Sequence, residues 1–94
     1  MKINWRPRAE CDLDSIVEYI ATDYPTAAVA QVEEVYNQVA ELKEFPERGR
    51  RGRVKGTLEL VINRTPYIAV YRIKDSEIHI LRIMHSSLPW PKSC

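Results

Sequence analysis

The residues best equipped for chemistry fall in the second half of the chain. "RGRRGRVKG", residues 48 to 56, packs five cations into nine residues. Cations on a glycine-punctuated backbone can follow a phosphate chain, because flexible backbone lets them meet successive phosphates. The stretch lacks the G-x-x-x-x-G-K-[ST] order of a phosphate loop, and no aromatic is interleaved to stack bases. A solvated connection accounts for the composition equally well. Arg72 and Arg82 lie further on; they could hold the same anion or pair with Glu59 and Glu77 across an exposed sheet face.

His79 and His85 stand six residues apart on one segment of strand character. Alternation puts both on one face about 20 Å apart, too far to share a metal. His79, between Ile78 and Ile80, reads as structural. An imidazole at His85 could act as general acid or base near neutral pH, or could simply cap its strand. Ser86 could join it only on irregular backbone, since strand neighbours point to opposite faces. Cys11 and Cys94 lack a C-x-x-C spacing and are read as free thiols, with a bridge between them as the alternative. No metal and no cofactor is expected. Trp90, flanked by Pro89 and Pro91, either packs back onto the domain or anchors a partner.

The elements that must position these groups can be read from periodicity. Ile3 and Trp5 alternate in a short first strand, "KINW". Pro7 suits the first turn of a helix, and Leu13, Ile16, Val17 and Ile20 then share one helical face, with Asp12, Asp14, Glu18 and Asp23 off it. Pro25 stops that helix near Asp23 and can open a second, along which Ala28, Val32, Val35, Val39 and Leu42 form an apolar seam. So short a link implies an antiparallel helical hairpin. All three glycines lie between residues 49 and 56, after which the period changes to that of strands. "TLELVIN", "YIAVYRIK" and "EIHILRIMH", joined by hairpin-sized links, predict an antiparallel meander. Both faces of the middle strand are largely apolar, as befits a central strand. The order β-α-α-β-β-β therefore predicts an α+β fold, a helical hairpin packed on a twisted antiparallel sheet, as a single domain over residues 1–94.

At 94 residues, with 29% charged and 45% hydrophobic, the chain has the composition of a small folded domain with one modest core. Charge is polarised along it: residues 1 to 45 carry nine acids against four Lys or Arg, and residues 46 to 94 carry ten bases against four acids. No apolar run is long enough to cross a bilayer and the N-terminus lacks a signal-peptide core, so a cytoplasmic location is expected.

Residues 51 to 91 carry the run G-R-V-x-G-T-x-E-L-V, then Y-x-x-x-Y-R-I, then H-x-x-x-x-W-P. With the preceding hairpin "DLDSIVEYIATDYPTAAVAQVEEV", this resembles the RelE/ParE family of bacterial type II toxins over nearly the whole chain. The resemblance implies a small cytoplasmic toxin neutralised by a cognate antitoxin, with operator DNA contacted only through that antitoxin. It also implies one of two targets: DNA gyrase for ParE-like members, or the ribosome with its mRNA for RelE-like endonucleases, which need no metal. RelE-like members place lysines and arginines where this chain has Glu59, Val61 and Ile68; a carboxylate there would repel a scissile phosphate and Val61 stabilises no charge. The ParE-like reading is therefore preferred, with His85 as the catalytic residue only if the chain is a nuclease. Arg51, Arg53, Lys55, Arg72 and Arg82 are the expected phosphate or target contacts. Leu58, where the family usually shows arginine, and Trp90 are the expected antitoxin or target contacts.

Overall fold

The computed structural model of the chain describes residues 1–86. Strand β1 (Lys2–Trp5) leads into helix α1 (Pro7–Asp23), and helix α2 (Pro25–Ala40) follows after a single residue. Each helix opens on a proline, whose missing N–H is no loss in a first turn. Tyr24, between them, has φ −139° and ψ 73° and so breaks the helical run. A short 3-10 turn, Glu41–Lys43, then delivers the chain to four strands: β2 (Arg50–Arg51), β3 (Leu58–Val61), β4 (Tyr67–Lys74) and β5 (Glu77–His85).

The five strands form one sheet in the order β1-β5-β4-β3-β2. The fold class is the expected one, with two refinements. β2 arises inside the basic stretch, and the sheet is mixed, because β1 joins β5 in parallel, Ile3 opposite Ile78 and Trp5 opposite Ile80. The helical hairpin returns the chain to the end of the sheet at which β1 leaves it, and β2 to β5 then alternate in direction, so β5 runs the same way as β1.

The core lies between hairpin and sheet. Leu13, Val35, Val39 and Leu42 from the helical side meet Leu60, Tyr71, Ile78, Ile80 and Ile83 from the strands. The predicted seam of α2 is the buried one: Ala28, Val35, Val39 and Leu42 are nearly inaccessible. On the opposite face of the sheet, Ile68, Val70 and Met84 form a second buried cluster. The alternation of β4 is thus apolar on both faces, as a central strand requires.

Two local features position the site. Asp75 and Ser76, linking β4 to β5, have φ of 55° and 60°, as a two-residue turn matched to strand twist demands. Further along β5, Val70 pairs with Arg82 but Tyr71 with Ile80, leaving Leu81 as an extra residue in a β-bulge. The bulge reverses side-chain parity beyond it. His79, opposite Arg72, stands on the face away from the helices, whereas His85, opposite Tyr67, stands on the helix-facing side with Ile83. The two histidines therefore do not share a face, contrary to uninterrupted alternation.

Among the described residues no helix is long and apolar enough to cross a membrane.

Candidate functional site

The basic stretch is an ordered arm. Its first part pairs with β3, Arg50 opposite Glu59 and Arg51 opposite Leu58. Its second part closes on itself, Gly52 N–H donating to Thr57 O at 2.9 Å and Thr57 N–H to Val54 O at 3.1 Å. Gly56 turns the chain at φ +83°, and a Cβ on Gly52 would collide with Thr57 Oγ1. These two glycines shape the turn of the arm.

Two side chains from the sheet pin the arm. Glu59 is only 3% exposed; its Oε2 accepts from Arg53 N–H at 2.9 Å and lies 3.5 Å from Arg53 Nε, while Oε1 lies 3.6 Å from Arg50. Tyr71 O–H donates to Pro46 O at 2.8 Å and accepts from Gly49 N–H at 2.9 Å. Burial pushes the Tyr71 phenol above its ordinary pKa; the Gly49 hydrogen bond opposes that and nearby Glu47 adds to it. Burial likewise raises that of Tyr67.

The arm's cations divide accordingly. Arg48 is paired with Glu41 at 2.7 Å and lies 4.9 Å over the Phe45 ring. Arg50 and Arg53 are drawn to Glu59. Arg51 and Lys55 are exposed and make no ion pair among the described residues, and the same holds for Arg72 on β4. Arg82 is placed otherwise than expected for a phosphate contact. Its guanidinium forms a two-pronged bond to Asp12 at 2.8 and 2.9 Å, and its side chain is 13% exposed. The Asp12 hydrogen bond, partly opposed by burial, raises the Arg82 pKa, so the guanidinium stays charged. Asp12 also accepts the N–H of Ile83 at 3.0 Å. Asp12, whose spacing sets it off the apolar face of α1, is nevertheless 4% exposed. Its partners are 70 and 71 residues away, and no local pattern points to them.

The positions at which a RelE-like nuclease would carry charge are filled otherwise. Glu59 is consumed by the arm, so it holds Arg53 and Arg50 and does not confront a phosphate. Val61 is 46% exposed and Ile68 2%. His85 packs edge-on to Tyr67 at 5.9 Å between centroids, on the sheet face opposite to the one bearing Glu59, Val61 and Ile68. Leu58, expected as an exposed contact, lies opposite Tyr71 on the helix-facing side, partly buried against the core. Trp90 lies outside the described residues. Cys11, expected as a free thiol, is not one: there is no free cysteine among the described residues, and Cys94 lies beyond them.

The structure also assembles a site that the sequence did not single out. A cavity of about 670 Å³ is lined by Arg6, Pro7 and Arg8 from the start of α1, Val54 and Thr57 from the arm, and Val70, Leu81 and Arg82 from the sheet. Its floor is apolar and its rim carries guanidinium groups. Arg6-Pro7-Arg8 is a visible cationic triplet, but only the bulge at Leu81 and the folded-back arm bring an apolar floor to it.

The chain matches the family model described as the ParE toxin of the type II toxin-antitoxin system parDE, over residues 3–90. The chain belongs to that family. It is 43% identical to Y4kP of Sinorhizobium fredii over 97% of this chain and 94% of that one. It is 34% identical to the toxin RelE2 of Caulobacter vibrioides over 92% and 96%. Among solved structures, the chromosomal ParDE toxin-antitoxin system of Pseudomonas aeruginosa superposes with a TM-score of 0.84 at 33% identity, covering 90% of this chain and 95% of that one. The RelBE2 toxin-antitoxin complex of Mycobacterium tuberculosis gives 0.59 at 27%, covering 89% and 95%.

Proposed function

We propose that this toxin arrests growth by engaging DNA gyrase, without cutting RNA, and that a cognate antitoxin holds it inactive. One observation carries the choice of target. The sheet face on which RelE-like members gather their charge here holds Ile68, Val61 and an already neutralised Glu59, and His85 lies on the other face. Metal-free RNA cleavage needs a proton acceptor, a proton donor and phosphate-neutralising cations converging within hydrogen-bonding reach. Among the described residues, the groups named above do not converge on one face. Capture of a large protein target needs only a rigid, charged surface, which the pinned arm supplies through Arg51, Arg53 and Lys55, with Arg72 on the adjoining sheet. The antitoxin is supported by the solved relatives, which are toxin-antitoxin assemblies.

Purified protein is expected to inhibit gyrase-catalysed supercoiling at micromolar concentration, and absence of inhibition there overturns the assignment. His85→Ala should leave growth inhibition intact. Loss of inhibition on that change, accompanied by codon-associated cuts in translated mRNA, would establish the endonuclease reading instead.

A further inference from the structure

The chain holds two cysteines, Cys11 and Cys94. Cys11 is disulfide-bonded, and within one chain Cys94 is the one partner available to it. Cys11 stands half-buried on α1, one helical turn beyond Pro7 and Arg8, which line the arginine-rimmed cavity. Its neighbour Asp12 holds Arg82 and Ile83 of β5, so Cys11 lies close to the strand that leads to the C-terminus. Ser86, which follows that strand, is fixed by its N–H to Pro66 O at 2.8 Å. Eight residues remain after it, a reach of up to about 28 Å when extended, and the start of α1 lies well within that. The buried core on either face of the sheet contains no cysteine. A single bridge to the last residue is also not the framework that holds small secreted domains together.

We infer that the Cys11–Cys94 bond is a reversible tether on the C-terminal segment. Closed, it keeps Trp90 on its own domain; open, it releases Trp90 to solvent, where an aromatic anchor has to be. The two roles open to Trp90 at the level of sequence, packing back or anchoring a partner, are then two redox states of one device. Closure takes two protons and two electrons from the two thiols as the Sγ–Sγ bond forms. One molecule of a low-molecular-weight disulfide, such as glutathione disulfide, accepts them and leaves as two thiols; excess reduced glutathione runs the exchange backwards. Helices and sheet stay as they are in either state, because the bond closes off only residues beyond the sheet. The closed ring spans most of the chain and so constrains the unfolded state.

The full chain, purified without reductant and equilibrated with glutathione disulfide, tests this. Peptide mapping is expected to find the Cys11 and Cys94 peptides joined within a monomer, and to find them separate, with two titratable thiols, after millimolar reduced glutathione. The oxidised chain should melt at least about 5 °C above the reduced one. Acrylamide quenching of tryptophan fluorescence reads the tail directly. Trp5 is held against Tyr36 at 5.0 Å between ring centroids, within the fold common to both states, so a rise in quenching on reduction reports Trp90. Cys94→Ser, a change at the last residue that leaves the core intact, should show the reduced chain's melting and quenching under both conditions. Two free thiols in the presence of glutathione disulfide, a bridge formed only between chains, a bridge that survives reduced glutathione, or quenching equal in the two states would overturn the inference.

Discussion

Asp12 shows what one buried carboxylate can do in a fold this small. It takes both prongs of Arg82 and the N–H of Ile83, tying the first turns of α1 to the bulged strand. Replacing it by alanine takes a two-pronged partner from a largely buried guanidinium and the acceptor from an N–H; loss of one partner of such a pair typically costs about 3 to 5 kcal/mol. Thermal unfolding of Asp12→Ala should show a loss of that size, and a change within noise would mean that other partners hold Arg82 without Asp12. Tyr71 has a comparable role for the arm. Tyr71→Phe removes both of its hydrogen bonds, an expected loss of about 1 to 3 kcal/mol, measurable in the same way. It also alters the alkaline limb. A phenol whose folded pKa is raised contributes stability that is full below its unfolded value of about 10 and is lost as pH rises through the folded one. Stability of the parent chain should therefore fall above about pH 10, and less steeply in Tyr71→Phe.

At the level of elements, the turn between β4 and β5 bears strain. Ser76 sits at φ 60° without being glycine, a conformation that costs an L-residue roughly 1 to 2 kcal/mol. Ser76→Gly relieves it at some cost in unfolded-chain entropy, so a net gain of about 1 kcal/mol in chemical denaturation is expected. The arm should respond to Glu59 differently. Glu59→Gln keeps the shape but loses the charge that draws in Arg50 and Arg53, and limited trypsin digestion should then cut faster at Arg51 and Arg53 while the core stays protected. Equal cutting rates would show that the Gly52–Thr57 and Tyr71 contacts hold the arm unaided. Much of the element level was legible in advance. Pro7, Pro25 and the seam from Ala28 to Leu42 define the hairpin, and β1, β4 and β5 begin and end where alternation predicts. β2 was not legible, because two arginines among glycines carry no strand pattern, and their pairing is made by the partner Glu59.

For the whole molecule, the polarised charge becomes geometry. The acidic helical hairpin lies on one side of the sheet and the basic arm at its far edge, so a partner meets distinct surfaces of opposite sign. Composition determined that polarity, and the hydrophobic period determined the α+β architecture, because both are properties of residues with their near neighbours in the chain. The family, too, was readable from the run between Gly52 and Tyr71. Three things were decided only by tertiary structure. The bulge at Leu81 arises from pairing with β4, and it moved His85 to the face opposite His79. Glu59, a carboxylate expected where a phosphate contact would lie, is buried by an arm that its own side chain draws in. Asp12 and Arg82 found each other across 70 residues, which turned an expected phosphate contact into an internal brace. In each case the deciding energy is that of a contact between segments distant in sequence, so no local pattern could record it.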